Sequence, residues 1–170
     1  MLYVQSLNQS LHKILANDKS VILMGEDLLD PYGGAFKVSK GLSTSFPAQV
    51  ISTPISEAGI VGSAVGMAMR GLKPIVEIMF GDFLALASDQ IVNHASKYSW
   101  MYNHKVTVPL LIRMPVGGRR GYGPTHSQSL ESMFMSISGI DIIAPSLCHN
   151  PGQMLETIMG RINKPTIFIE

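Results

Sequence analysis

The sequence predicts an α/β fold, a mostly parallel sheet with helices on both faces. Three observations carry that prediction. Short, wholly apolar runs such as Val21-Ile22-Leu23-Met24 suit strands buried on both sides. Those runs alternate with longer segments of helical apolar spacing, the mark of βαβ units. No repeat, low-complexity tract or linker interrupts the 170 residues, so 1–170 reads as one domain. A chain of that length buries roughly 70% of the surface it exposes when unfolded.

The elements follow in order. Leu7, Leu11, Ile14 and Leu15 recur at helical spacing, so a helix runs to about Ala16 and Asn17-Asp18-Lys19 breaks it. Val21 to Met24 is a strand. Gly25 to Ser45 holds Pro31, Gly33, Gly34 and Gly41 and is irregular, and loops of that length are usually functional. Val50-Ile51-Ser52 is a strand and Glu57 to Arg70 a helix. Ile75 to Met79 is a strand, followed by one long helix from Phe83 to about Ser99. Val108 to Arg113 is a strand and Ser129 to about Ser138 a helix. Asp141 to Ala144, a helix from Gly152 to Arg161 and the strand Thr166 to Ile169 complete the pattern. Ligands of such sheets bind beyond the carboxyl ends of the strands. The segments to search are therefore Gly25 to Ser45, Thr53 to Glu57, Phe80 to Phe83 and Met114 to Ser127.

Composition narrows the function. With 46% apolar and 15% charged residues the chain has too much to bury to be disordered. Thirteen Lys and Arg against twelve Asp and Glu give a net charge of +1, which argues against a nucleic-acid partner. The single cysteine, Cys148, excludes an internal disulfide framework and fits a reducing compartment. The longest apolar stretch, Gly59 to Met69, is too short for a bilayer, which needs roughly 20 residues. The N-terminus lacks the pattern of a secretory signal, so a soluble, cytoplasmic protein without membrane partners is expected.

Several familiar motifs are missing: Gly-x-Gly-x-x-Gly, the P-loop, the Gly-x-Ser-x-Gly elbow and any His/Cys metal-ligand spacing. Gly81-Asp82 opens like a diphosphate–magnesium motif. Phe83 follows, however, and no paired asparagine lies downstream, so Asp82 reads as the cap of the helix opening at Phe83.

Three segments can carry chemistry. In Thr53-Pro54-Ile55-Ser56-Glu57-Ala58-Gly59, Ser56 suits a helix cap and Glu57 either sits on the helix dipole or serves as a functional acid. Gly59, Gly62 and Gly66 leave that helix bare, which suggests close approach of another backbone, within the fold or across a subunit interface. Phe80 and Phe83 either pack in the core or stack on a planar ligand. Gly117 to Ser129 holds Arg119, Arg120 and His126, and either binds an anion or is a solvated loop.

Taken together the segments are more specific. Gly25-Glu26-Asp27, Tyr32-Gly33-Gly34-Ala35-Phe36-Lys37-Val38, Thr53 to Ile60, Asp89-Gln90-Ile91-Val92-Asn93 and His126-Ser127-Gln128-Ser129 occur in this order. Val21 to Glu170 resembles the N-terminal, pyrimidine-binding domain of the β subunit of thiamine-diphosphate-dependent 2-oxo acid dehydrogenases. Pyruvate, branched-chain 2-oxo acid and acetoin dehydrogenases belong to that group. The resemblance implies the thiamine-diphosphate-binding fold and a cofactor bound by its pyrimidine end. It implies that Glu57 hydrogen-bonds a ring nitrogen of the aminopyrimidine, favouring the imino tautomer that activates the thiazolium carbon. Phe83 would pack on the pyrimidine, Ile55 would touch the cofactor, and His126 would handle substrate or acyl transfer.

It further implies an α-type diphosphate-binding subunit that supplies the Mg2+ ligands, an α2β2-like assembly and a lipoyl-bearing acyltransferase partner. Some relatives also hold a structural monovalent cation. Two features depart from the family: its C-terminal domain is absent from this sequence, and Leu86 stands where some relatives carry a polar residue. A split transketolase-like ketol transferase subunit and a non-catalytic assembly or regulatory module are the alternatives.

Overall fold

In the computed structural model, which describes residues 2–170, six strands form one all-parallel sheet. They are β1 (Val21–Glu26), β2 (Val50–Thr53), β3 (Lys73–Glu77), β4 (Leu111–Met114), β5 (Asp141–Ile143) and β6 (Thr166–Ile169). Their spatial order is β2-β1-β3-β4-β6-β5. Side chains alternate between the two faces of a strand, and both faces here are covered. On one face Met24, Val76, Ile112 and Ile167 pack beneath α3 (Glu57–Met69) through its Ile60, Val61, Ala64 and Val65. On the other, Leu23, Ile75, Leu111 and Phe168 pack beneath α1 (Tyr3–Asn17) and α5 (Pro151–Arg161).

Small residues set how close those last two helices come. Ser6 Oγ donates to Asn150 Oδ1 at 2.7 Å, and Asn150 caps α5 by accepting the Gln153 N–H. A Cβ on Gly152 would lie 2.7 Å from Ser6 Oγ, so only glycine lets α5 start there. Between β1 and β2 the chain makes a compact loop ending in the short α2 (Leu42–Ser45). Asp30 organises it by accepting from Gly41 N–H at 2.7 Å and from the hydroxyls of Ser43 and Thr44. Those bonds hold its carboxyl far below the ordinary carboxylate range, the Gly41 bond most of all.

Two predicted helices differ from the structure. Instead of one helix from Phe83 to Ser99 there is a 3₁₀ stretch (Gly81–Ala87), a π-helical stretch (Gln90–Ala95) and the short α4 (Tyr98–Met101). Tertiary bonds override the helical period: Gly81 N–H donates to Pro115 O at 2.8 Å. Ser88 and Ser96 hydroxyls bond back to the Ala85 and Val92 carbonyls, competition that loosens a helix from within. Instead of a helix from Ser129 to Ser138 only a 3₁₀ turn, Glu131–Phe134, forms around buried Phe134. Its flanking serines are weak helix formers, and Gly139 at φ +86° ends the segment. Among the described residues no helix is long and apolar enough to cross a membrane.

Candidate functional site

The segments singled out from the sequence stand at the carboxyl end of the sheet. Glu57 opens α3 directly after the β2 exit and is 6% exposed. Its carboxylate is spared from capping, because Ser56 Oγ accepts the Gly59 N–H at 3.3 Å. Ile55, in the same turn, is 83% exposed and points away from the core. Of the bare α3 surface, Gly62 makes room for the Gln90 side chain, 3.0 Å from where a Cβ would stand, while Gly66 faces open space. A side chain, not a backbone, approaches this helix within the chain.

A second carboxylate, unread in the sequence, lies beside Glu57. Glu26 ends β1, is 8% exposed, and pairs across the sheet with Thr53. Its Oε1 and the Thr53 hydroxyl are both buried without a hydrogen-bond partner among the described residues. Burial foremost, then the charges of Glu57 and Asp27, push the Glu26 carboxyl above its ordinary 4.5, with the Ser56 N–H opposing. Its folded pKa is raised, so the unfolded chain gives up that proton first and stability falls as pH rises above about 4.5. Glu26→Gln is therefore expected to flatten the loss of stability as pH rises above about 4.5, read from urea midpoints. An unchanged slope would place the cause elsewhere.

The second half of the site is aromatic. His126 lies edge-on to Phe80 and Phe83, with ring centroids 4.8 and 5.1 Å away, and Thr125 Oγ1 is 3.0 Å from its Nδ1. Phe36, from the loop after β1, meets Phe80 at 5.5 Å and Tyr122 at 6.4 Å. Arg120, a candidate anion ligand, instead lies over the Phe36 ring at 4.7 Å. The structure thus brings Phe83 and His126 together beyond β3, and places Glu57 and Ile55 at the β2 exit, with β1 between the two.

Asp82 corrects a sequence expectation. It caps nothing; its carboxylate accepts from the Gln128 backbone N–H at 3.2 Å and from Gln128 Nε2 at 2.8 Å. That contact ties the loop carrying His126 to the β3 exit. Asp82→Ala should release the exposed Gln128 amide to water at a net cost of about 0.5–1.5 kcal/mol. Faster hydrogen exchange at Gln128 than in wild type would report it, and equal exchange would refute it.

A buried carboxylate, a neighbour of raised proton affinity, two unpartnered buried oxygens and an aromatic wall fit the ring end of an aminopyrimidine cofactor. A metal-bound diphosphate end is another matter. Among the described residues no three His, Cys, Asp or Glu side chains are grouped to hold a metal ion.

Comparison with known proteins identifies the family. The family model for the transketolase pyrimidine-binding domain matches residues 1–170. The pyruvate dehydrogenase E1 component subunit beta of Leifsonia xyli is 39% identical over 168 residues, 98% of this chain and 49% of that protein. The 2-oxoisovalerate dehydrogenase subunit beta of Pseudomonas aeruginosa is 37% identical over 173 residues, 100% of this chain and 48% of its own length. The acetoin:2,6-dichlorophenolindophenol oxidoreductase subunit beta of Bacillus subtilis is 35% identical over 179 residues, 97% of this chain and 52% of its own length. Among solved structures, a split gene transketolase described as an inactive beta4 tetramer superposes with TM-score 0.75 at 18% identity, over 98% of this chain and 50% of that one. The chain spans about half the length of the curated relatives it matches. By the match along its whole length the chain belongs to the transketolase pyrimidine-binding domain family, and its parallel sheet has that fold.

Proposed function

We propose that this chain is the pyrimidine-binding part of a 2-oxo acid dehydrogenase β subunit, completed by an α-type subunit that holds the diphosphate and Mg2+. The observation that carries this reading is Glu57, buried at the start of α3 beside Glu26 and not used as a helix cap. Thiamine diphosphate would supply the electron sink for decarboxylation, while the protein supplies orientation and electrostatics. Glu57 would hold the aminopyrimidine by a ring nitrogen and share a proton with it, which requires a carboxylate shielded from water. Phe83 would bound the ring, Ile55 would be covered by ligand or partner, and His126 would hold or pass a proton at the reacting end. An α2β2-like assembly, a lipoyl-bearing acyltransferase that takes up the acyl group and a reducing compartment complete the reading. The exposed thiol of Cys148 is consistent with such a compartment.

The test is reconstitution. The β subunit is mixed with a candidate α-type subunit, thiamine diphosphate and Mg2+, and 2-oxo acid-dependent reduction of a dye is followed. Turnover that needs both chains is expected. Ketol transfer between sugar phosphates without 2-oxo acid turnover would instead favour the split transketolase reading, and no turnover with any partner would favour a non-catalytic module.

A further inference from the structure

The crevice between β1 and β3 is where the sheet's connections diverge, β1 leading to β2 on one side and β3 to β4 on the other. Such a divergence is the usual ligand site of an α/β sheet. Here a run of buried charges starts at the edge of that crevice and crosses β3 to β4 and the end of β6. Glu77 ends β3 and is 6% exposed; Arg113, its register partner on β4, is 1% exposed. Arg113 Nη1 donates to Glu77 Oε2, and its Nε and Nη2 donate to Glu170 Oε1 and Oε2 at 2.5 and 2.6 Å.

The cradle around Glu77 is built by the glycine motifs read in the sequence. A Cβ on Gly25 would stand 2.6 Å from the Glu77 carbonyl oxygen, and one on Gly34 2.6 Å from Glu77 Oε1. Ser39 Oγ donates to Glu77 Oε2 at 2.7 Å. On the other side, Glu170 N–H donates to Met114 O at 2.8 Å and Val116 N–H to Glu170 O at 2.9 Å, at the root of the loop that carries His126.

Burying three charges is a poor route to stability, because well-packed apolar residues usually do as well. A guanidinium fork between two carboxylates does fix geometry. We propose that the Glu77–Arg113–Glu170 network is a positioning device: it fixes the Gly33–Lys40 loop and the Val116–Gln128 loop against each other and so sets where His126 stands. Phe36 transmits the first loop's position to Phe80, and Phe80 touches His126. The inference rests on the reading of this end of the sheet as the cofactor site, and loop order can be measured without that reading.

Limited tryptic digestion of the full β subunit makes the test. Lys37 and Lys40 report on one loop, Arg119 and Arg120 on the other, and exposed Lys19 and Arg70, at the opposite end of the sheet, serve as references. Glu77→Gln is expected to speed cleavage at both loops about fivefold or more, as local opening without global unfolding does, with the references unchanged. Ser39→Ala, which removes one hydroxyl, is expected to speed only Lys37 and Lys40. In the reconstituted enzyme Glu77→Gln should lower kcat more than it raises KM. Equal acceleration at all sites, or acceleration at none in either variant, overturns the proposal. If Glu77→Gln fails to fold, Ser39→Ala decides. If the wild-type enzyme turns over no 2-oxo acid, the proposed function fails while the cleavage pattern still decides the role of the network.

Discussion

Glu57→Gln is expected to lower 2-oxo acid decarboxylation about 10²- to 10⁴-fold, the range over which a positioned proton-transfer group contributes. Glutamine keeps the length of the side chain and still hydrogen-bonds a ring nitrogen, but it neither takes nor gives a proton. Cofactor affinity should therefore change far less than kcat, which separates loss of proton chemistry from loss of binding. The fold should survive, because Ser56 and not Glu57 caps α3. The measurement is kcat across a thiamine diphosphate titration in the reconstituted enzyme. Turnover within a few-fold of wild type would remove Glu57 from the proton path.

Arg113→Ala should be the most destabilising single change, at about 3–5 kcal/mol, the cost of breaking a buried ion pair from one side. It leaves the Glu77 and Glu170 carboxylates facing each other in the interior. Burial already pushes the Glu170 carboxyl up while Arg113 pulls it down, so removing the guanidinium leaves burial unopposed. With the folded-state pKa raised further, the deficit grows as pH rises above the ordinary 4.5. Urea midpoints of Arg113→Ala at acidic and neutral pH measure both effects. The triple change Glu77→Leu, Arg113→Met and Glu170→Leu should recover most of the lost stability, since an apolar replacement is often neutral. Equal stability of Arg113→Ala and wild type would show that water reaches the network.

The strands and the three main helices were legible because burial on two faces writes uninterrupted apolar runs, and one-faced burial writes the spacing of Leu7, Leu11 and Ile14. Glu57 and His126 stand out in the sequence by their strand-exit segments and the motifs around them, and the structure places both segments at the carboxyl end of the sheet. The stretch Phe83–Ser99 was misread because apolar spacing does not separate an α-helix from consecutive 3₁₀ and π stretches. What decides there is a set of bonds to distant residues, Gly81 to Pro115 and Asp82 to Gln128, that local sequence does not show. Glu26 and the Glu77–Arg113 pair were missed for another reason. Each sits at the end of an apolar run and reads as a solvated terminus, yet strands buried on both faces leave no solvated terminus. Opposite charges at the ends of two such runs were the available signal, and the adjacency of β3 and β4 makes them partners.

The strand order has a consequence for synthesis. β5 pairs with β6 alone, and β6 lies between β5 and β4. Asp141–Ile143 leaves the ribosome with no edge to join until Thr166–Ile169 follows, a delay of about 1–5 s at roughly 5–20 residues per second. Through that interval the open edge of β4 and the unpaired side of Arg113 face the same gap. The arrival of β6 closes both at once, so one late docking event joins the sheet and completes the counter-charge of its buried cation.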